Sequence, residues 1–317
     1  GNTRKVLVGR IKIERRPLTL VKIEYEGGTG SILLQNAETI PFIGKNDKQI
    51  PITSLIVGDE ILVKTDNFSG RHFGVAVDEF MLEKWILLSN NLFNNVKICT
   101  SLIASNKTEM KNSIEKAISF GTKFIEIRFD YIKTSEIYDL LPLLKSYSDQ
   151  CIYTCRKLDQ GGSFKGNEKL RIKILEELSK QNPAFIDIEL ITIKNKPELA
   201  KTLRSNGSSL IVSWHNFSET PHENVLKSVL TDSKNFGDIS KIVTFAQTFQ
   251  DNNKIFSLYK SETKGKLIAF CMGELGIISR ILCVTLGSPL TYASIDDNQT
   301  AKGQISILEM KKFYAAF

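Results

Sequence analysis

Apolar residues along this chain follow two rhythms, and the change falls near residue 96. Before it, KVLVGRIKIER, LTLVKIEYEG, SILLQNA and EILVKT alternate or run apolar between GGTG and VGDE turns. That is the pattern of short strands in a small antiparallel β-barrel or sandwich. GGTG lacks the GxGxxG spacing of a dinucleotide loop and precedes a strand, so it reads as a hairpin turn. After residue 96, apolar runs alternate strictly with amphipathic segments. The runs cover 96–104, 124–130, 151–156, 185–190, 209–217, 239–246, 266–273 and 289–295. KTEMKNSIEKAISF, EKLRIKILEELSK and PHENVLKSVLTDSKNF between them repeat apolar residues at helical spacing. Eight strand–helix units predict an α/β fold, a (β/α)8 TIM barrel with a small N-terminal antiparallel β domain. An open doubly wound sheet of fewer strands is the alternative. The predicted domains are 1–86 and 96–317, joined by the asparagine-rich linker LLSNNLFNN at 87–95.

A barrel gathers its chemistry at the C-terminal ends of the strands and in the loops that follow. Glu126 and Arg128 share one face of the second strand, being two residues apart. Arg156 ends the third and is followed by KLDQGGSFKG; His215 ends the fifth, before SETP. Lys241 interrupts the sixth, in ISKIVTFA, and Arg280 follows the seventh in MGELGIISR. Each has a plain structural reading. Glu126 and Arg128 balance charge inside a barrel, His215 is a satisfied core histidine, and Arg280 caps a carbonyl. Lys241 buries its stem and keeps its ammonium in water. His222 reads as a surface residue in a helix's first turn. Together, cations and a histidine at five strand ends suggest another reading. A desolvated lysine condenses with a ketone, an imidazole moves the proton beside the resulting imine, and arginines bind a carboxylate. The expected substrate is a small keto acid.

Composition narrows the classes. The chain has 317 residues, 42% hydrophobic and 24% charged, as expected of a globular protein of two domains. Net charge is +7, with 12 Lys+Arg against 11 Asp+Glu in residues 1–85 and 30 against 24 beyond. No basic block or aromatic-interleaved stripe supports nucleic-acid binding. No apolar run reaches the length of a membrane span, and no signal peptide opens the chain. Five cysteines without a CxxC pair, Cys99, Cys151, Cys155, Cys271 and Cys283, read as buried reduced thiols of a cytoplasmic protein. With three histidines and no clustered ligand set, neither a metal nor a cofactor is expected.

The motifs EIRFD, TCR..QGGSF, SWHNF.ETP, SKIV, MGELGIISR, GSPLTYA and KGQIS stand in the order of type I 3-dehydroquinate dehydratase. Residues 96–317 resemble that family, a Schiff-base barrel of the shikimate pathway. The resemblance implies that Lys241 forms an imine with 3-dehydroquinate and that His215 is the general acid/base. It assigns Glu126, Arg128 and Arg156 to polar groups of the ring and Arg280 to the carboxylate. Thr300 and Gln304 close over the substrate from the last loop. Three departures stand out. Gln160 occupies the place of a glutamate that pairs with the histidine, Thr300 that of a serine, and Lys302 that of a proline. Gln160 retains an orienting role as a hydrogen-bonding group without charge, so a slower enzyme is expected. A catalytically impaired scaffold and a Schiff-base aldolase on the same barrel are the alternatives.

Residues 1–85 resemble the C-terminal part of archaeal-type 3-dehydroquinate synthase, through GRIKIERRPL, LLQNAETI, VGDEILVK and GRHFG with its His72. That enzyme makes the dehydratase's substrate. The resemblance implies part of a synthase–dehydratase fusion, with no independent catalysis by this segment. A homodimer is an expectation carried by no motif.

Overall fold

The computed structural model describes residues 95–248, 250–262, 264–295 and 304–315, together with the backbone of eight strands between residues 2 and 87. Two compact units emerge: residues 1–95 with 248–250 and 311–317, and residues 96–247 with 251–310.

In the first unit, β1 (Asn2–Lys12), β2 (Leu18–Tyr25), β3 (Gly28–Gln35), β6 (Glu60–Phe68), β7 (Arg71–Val75) and β8 (Lys84–Leu87) form a closed antiparallel barrel in the order β1-β2-β3-β8-β7-β6. β4 (Pro41–Ile43) and β5 (Gln49–Pro51) pair separately. Of the two expected architectures, the barrel is the one formed. Tyr25 stands opposite Gly28, so β2 and β3 pair as antiparallel neighbours and Gly28, Thr29 and Gly30 of GGTG already belong to β3. β7 and β8 carry too few alternating residues to have stood out as strands. The His72 side chain lies outside the described residues.

The second unit contains β9 (Ile98–Leu102), β10 (Phe124–Arg128), β11 (Cys151–Thr154), β12 (Phe185–Glu189), β13 (Leu210–His215), β14 (Ile239–Phe245), β15 (Leu267–Met272) and β16 (Thr291–Ala293). Between and after them run α1 (Lys107–Ser119), α2 (Ile137–Leu144), α3 (Glu168–Ser179), α4 (Leu190–Asn195), α5 (Glu198–Ser205), α6 (Glu223–Lys234), α7 (Asp251–Ser257), α8 (Ile277–Leu286) and α9 (Ile307–Ala315). All eight strands are parallel, in the order β15-β14-β13-β12-β11-β10-β9-β16. The last strand lies beside the first, Tyr292 opposite Cys99. An open doubly wound sheet reverses direction at a switch point instead, so this order is that of the (β/α)8 barrel.

Local sequence explains the elements. Asn106 caps α1 by accepting from the Glu109 N–H at 3.0 Å, and Asn167 caps α3 by accepting from Leu170 at 2.9 Å. His222 proves to be the cap of α6, its Nδ1 accepting from Asn224 at 3.3 Å, rather than a residue of the first turn. α1 buries Met110, Ile114 and Ala117, and α6 buries Leu226, Leu230 and Ser233, each set spaced four and three residues apart. Burying each large apolar side chain contributes about 1.5–3 kcal/mol. The strands are buried on both faces, which is why they read as apolar runs. Polar residues inside such runs are therefore the exceptions that need partners.

Candidate active site

Lys241 is the sharpest exception. It is the third residue of β14, level with Ser213 on β13, and only 4% exposed. The snorkelling reading fails, because the amine itself is buried. Nζ donates to Asp187 Oδ2 at 3.1 Å, lies 3.8 Å from Glu126 Oε1, and sits 4.1 Å from the centroid of the Tyr292 ring. Burying a charge is tolerated only with partners of this kind.

Asp187 is the hub beneath it. Burial alone would raise its pKa, but the charges of Arg156 and Lys241 hold the carboxyl well below its ordinary range. Its Oδ1 accepts from Arg156 Nη2 at 2.9 Å and from Ser213 Oγ at 2.6 Å, while Arg156 Nη1 donates to the same Ser213 Oγ at 2.7 Å. Arg156 also lies 3.8 Å from Glu189 Oε1, and the other oxygen of Glu189 accepts from Arg171 at 2.8 Å. Burial opposes the charge on Arg156, yet Asp187 and Glu189 raise its pKa above the ordinary value. Glu126 accepts from Ser101 Oγ and from Thr154 Oγ1 at 2.9 Å. Arg128 is clamped by both oxygens of Asp130, at 2.9 and 2.7 Å. Asp187, Glu189, Ser101 and Ser213 did not stand out in the sequence. The signal was there: FIDIE places Asp187 and Glu189 on one strand face, as EIR does Glu126 and Arg128.

Above this layer opens a cavity. Eight of the nine residues singled out from the sequence line it: Glu126, Arg128, Arg156, Gln160, His215, Lys241, Arg280 and Gln304. Thr300, like Lys302, lies outside the described residues. His215 is two residues beyond Ser213 on β13, so it stands about 7 Å further up the wall than the level of Lys241. Its ring stacks on Phe217, centroids 5.6 Å apart and planes 7° apart, and its buried Nδ1 has no partner among the described residues. Burial first, then the charges of Arg156 and Lys241, push its pKa well below the ordinary 6.5. Gln160 does not hold this ring: its amide donates to the Asp159 carbonyl at 3.3 Å. The neighbouring glycine is required. Gly161 has φ +74°, and a Cβ there would collide with the Phe217 ring.

Arg280 enters from the first turn of α8, buried, with its guanidinium 4.4 Å from the Phe270 ring centroid. Its Nε has no partner among the described residues, and burial lowers its pKa to about 10. Tyr292, another residue the sequence did not single out, also lines the cavity with a buried, unpartnered Oη.

Fold and site thus define a (β/α)8 barrel with a buried lysine, an imidazole and an unneutralised guanidinium at its mouth, the class equipped for imine chemistry on carboxylated ketones. The model of the type I 3-dehydroquinase family matches residues 98–317, and that of the 3-dehydroquinate synthase II C-terminal domain matches residues 1–84. The chain belongs to the type I 3-dehydroquinase family. It is 40% identical over 198 residues to a 3-dehydroquinate dehydratase of Dehalococcoides mccartyi, a match spanning 62% of this chain and 86% of that protein. With the Pyrococcus abyssi 3-dehydroquinate dehydratase it shares 37% over 215 residues, 68% of this chain and 95% of the relative. The crystal structure of the Aquifex aeolicus 3-dehydroquinate dehydratase superposes with TM-score 0.60 at 28% identity, covering 70% of this chain and 99% of that one. The Clostridium difficile type I enzyme superposes with TM-score 0.64 at 24% identity over 70% and 92% of the two chains, a likeness of fold.

Proposed function

We propose that the barrel is a hydro-lyase that removes water from 3-dehydroquinate to give 3-dehydroshikimate, a step of the shikimate pathway, through an imine on Lys241. Family membership over residues 98–317 supports the reaction. The observation that carries the residue roles is the burial of Lys241 beside a cavity that also holds His215 and Arg280.

Arg280 takes the substrate carboxylate. Among the cavity's three arginines, Arg128 is clamped by Asp130 and Arg156 is committed to Asp187 and Ser213, whereas Arg280 keeps an unpartnered Nε. An arriving carboxylate supplies the charge-assisted hydrogen bond that this buried guanidinium lacks. Glu126, Arg128 and Arg156, fixed by their own partners, present polar edges to the ring hydroxyls. Gln304, with Thr300, closes from the last loop.

The free amine of Lys241 then attacks the ketone carbon. The carbonyl oxygen departs as water, with one proton from the amine and one from solvent, leaving a protonated C=N bond. His215, neutral at pH 7 because burial and two cations depress its pKa, takes a proton from the carbon beside the C=N. The electron pair moves onto nitrogen as an enamine and returns to expel the ring hydroxyl, which leaves as water with the proton from His215. Hydrolysis of the imine restores Lys241. Gln160 offers the imidazolium no countercharge, so the proton-bearing state of His215 is short of stabilisation. The aldolase reading falls with the family assignment.

This reading places the enzyme in the cytoplasm and makes residues 1–86 a synthase-derived domain, joined through 87–95 to the barrel at 96–317. Among the described residues no helix is long and apolar enough to cross a membrane. All five cysteines are buried and free, which suits a reducing compartment. The test is direct. Purified protein mixed with 3-dehydroquinate generates the ultraviolet absorbance of a conjugated enone, and borohydride added during turnover fixes substrate on the peptide holding Lys241. No enone at high enzyme concentration establishes the scaffold instead; label on another lysine refutes the assigned nucleophile.

A further inference from the structure

Both cations on the far wall of the cavity sit on aromatic faces, and the two faces touch. Lys241 Nζ lies 4.1 Å from the Tyr292 centroid and the Arg280 guanidinium carbon 4.4 Å from that of Phe270. The Tyr292 and Phe270 rings are 6.2 Å apart at 50°. Tyr292 belongs to β16 and Phe270 to β15, the two strands at the ends of the sheet order. Tyr292 is 4% exposed, and among the described residues its Oη has no protein partner although it is buried in the wall. An unpartnered buried hydroxyl costs stability, so its retention requires a reason.

We infer that Tyr292 is a working residue of this site, with its ring face carrying the positive charge of the imine nitrogen and its hydroxyl bonding a polar group of the bound substrate. The inference rests on the imine reading above. As an ammonium, Nζ has three N–H donors, one of them spent on Asp187, with Glu126 3.8 Å away as a countercharge. Once condensed with a ketone, the same nitrogen keeps its charge but only one N–H. Two of its three donors are lost just when the charge must persist. A quadrupole beneath the nitrogen needs no hydrogen to act, and in a desolvated site it stabilises either charged form. Tyr292 thereby favours the step in which the neutral addition product, once protonated on its hydroxyl, loses water to become the charged imine. Phe270 holds the ring in place while seating Arg280, so the reacting nitrogen and the carboxylate site share one aromatic support.

Replacing residue 292 by phenylalanine, then by phenylalanines carrying one, two and three ring fluorines, leaves shape nearly constant while draining the ring's negative face. The readout is the rate at which borohydride traps imine during a single turnover, normalised to folded protein. The expected result is a stepwise decline with each fluorine, about tenfold or more across the series. A flat series overturns the role of the face, since packing alone does not respond to fluorine count. Tyr292→Phe compared with the wild type isolates the hydroxyl: KM for 3-dehydroquinate rises about three- to tenfold, and an unchanged KM overturns that half. If the wild type itself gives no trapped imine, the dehydratase reading falls and this inference with it. A trapped wild type with a flat series removes only the inference.

Discussion

The floor and the mouth of this barrel use the same residue types to opposite ends. On the floor, Lys241, Asp187, Arg156, Ser213, Glu189 and Arg171 form an unbroken chain of ion pairs and hydrogen bonds. At the mouth, His215 Nδ1, Arg280 Nε and Tyr292 Oη are buried without a partner among the described residues. A satisfied network fixes geometry, because each member is held by the next. Unsatisfied groups lower stability and are kept where a ligand will complete them. Lys241 is the joint between the two: anchored below by Asp187 and Glu126, open above to the cavity. Polar residues inside a barrel therefore divide by whether their bonds are already made.

Substitutions break or sharpen that division. At the joint, Lys241→Ala removes the proposed nucleophile, and turnover falls by at least about three orders of magnitude, with borohydride trapping lost and the circular-dichroism spectrum retained. On the floor, Asp187→Asn strips a countercharge from two buried cations, and urea unfolding registers a loss of about 3–5 kcal/mol. At the mouth, Arg280→Gln does the reverse: KM rises roughly 10- to 100-fold, the worth of a hydrogen bond to a charged group, while the unfolding midpoint holds or increases. An Arg280 variant that unfolds early while binding substrate normally would erase the distinction.

Acid sharpens it further. His215 has its pKa depressed below the ordinary 6.5, so with His215 as the proposed base the acid limb of kcat/KM lies below that pH. Between 6.5 and the depressed value the unfolded chain binds a proton on this residue that the folded chain does not. Its contribution to stability accordingly falls as pH drops through that window, and His215→Gln flattens the slope. The smallest effect belongs to Gln160→Glu. A carboxylate there supports the imidazolium, raising kcat severalfold and moving the acid limb upward; an unchanged profile shows that residue 160 stays turned to the Asp159 carbonyl and away from the ring.

Much of the site was legible because strand periodicity and barrel topology are local grammar. Eight apolar runs separated by capped amphipathic segments specify alternating strands and helices, and the barrel then brings their C-terminal ends together. That is how Glu126, Arg156, His215, Lys241 and Arg280 could be collected from segments 154 residues apart. Asp187 was missed although its strand alternates like that of Glu126, since a carboxylate between two isoleucines acquires meaning only from the cations facing it. Tyr292 was missed for a related reason: an aromatic residue in an apolar run looks like core until an amine is found over its face.

By itself the sequence determined the alternation of elements and the one amine set among apolar neighbours, because these depend on spacing along the chain. Tertiary structure alone decided that this amine is paired below by Asp187 and seated on Tyr292, and that Arg280 rather than Arg128 or Arg156 retains an unpartnered Nε. Those outcomes depend on which side chains from distant strands come within a few ångströms, and short-range Coulomb and hydrogen-bond energies are set by that distance.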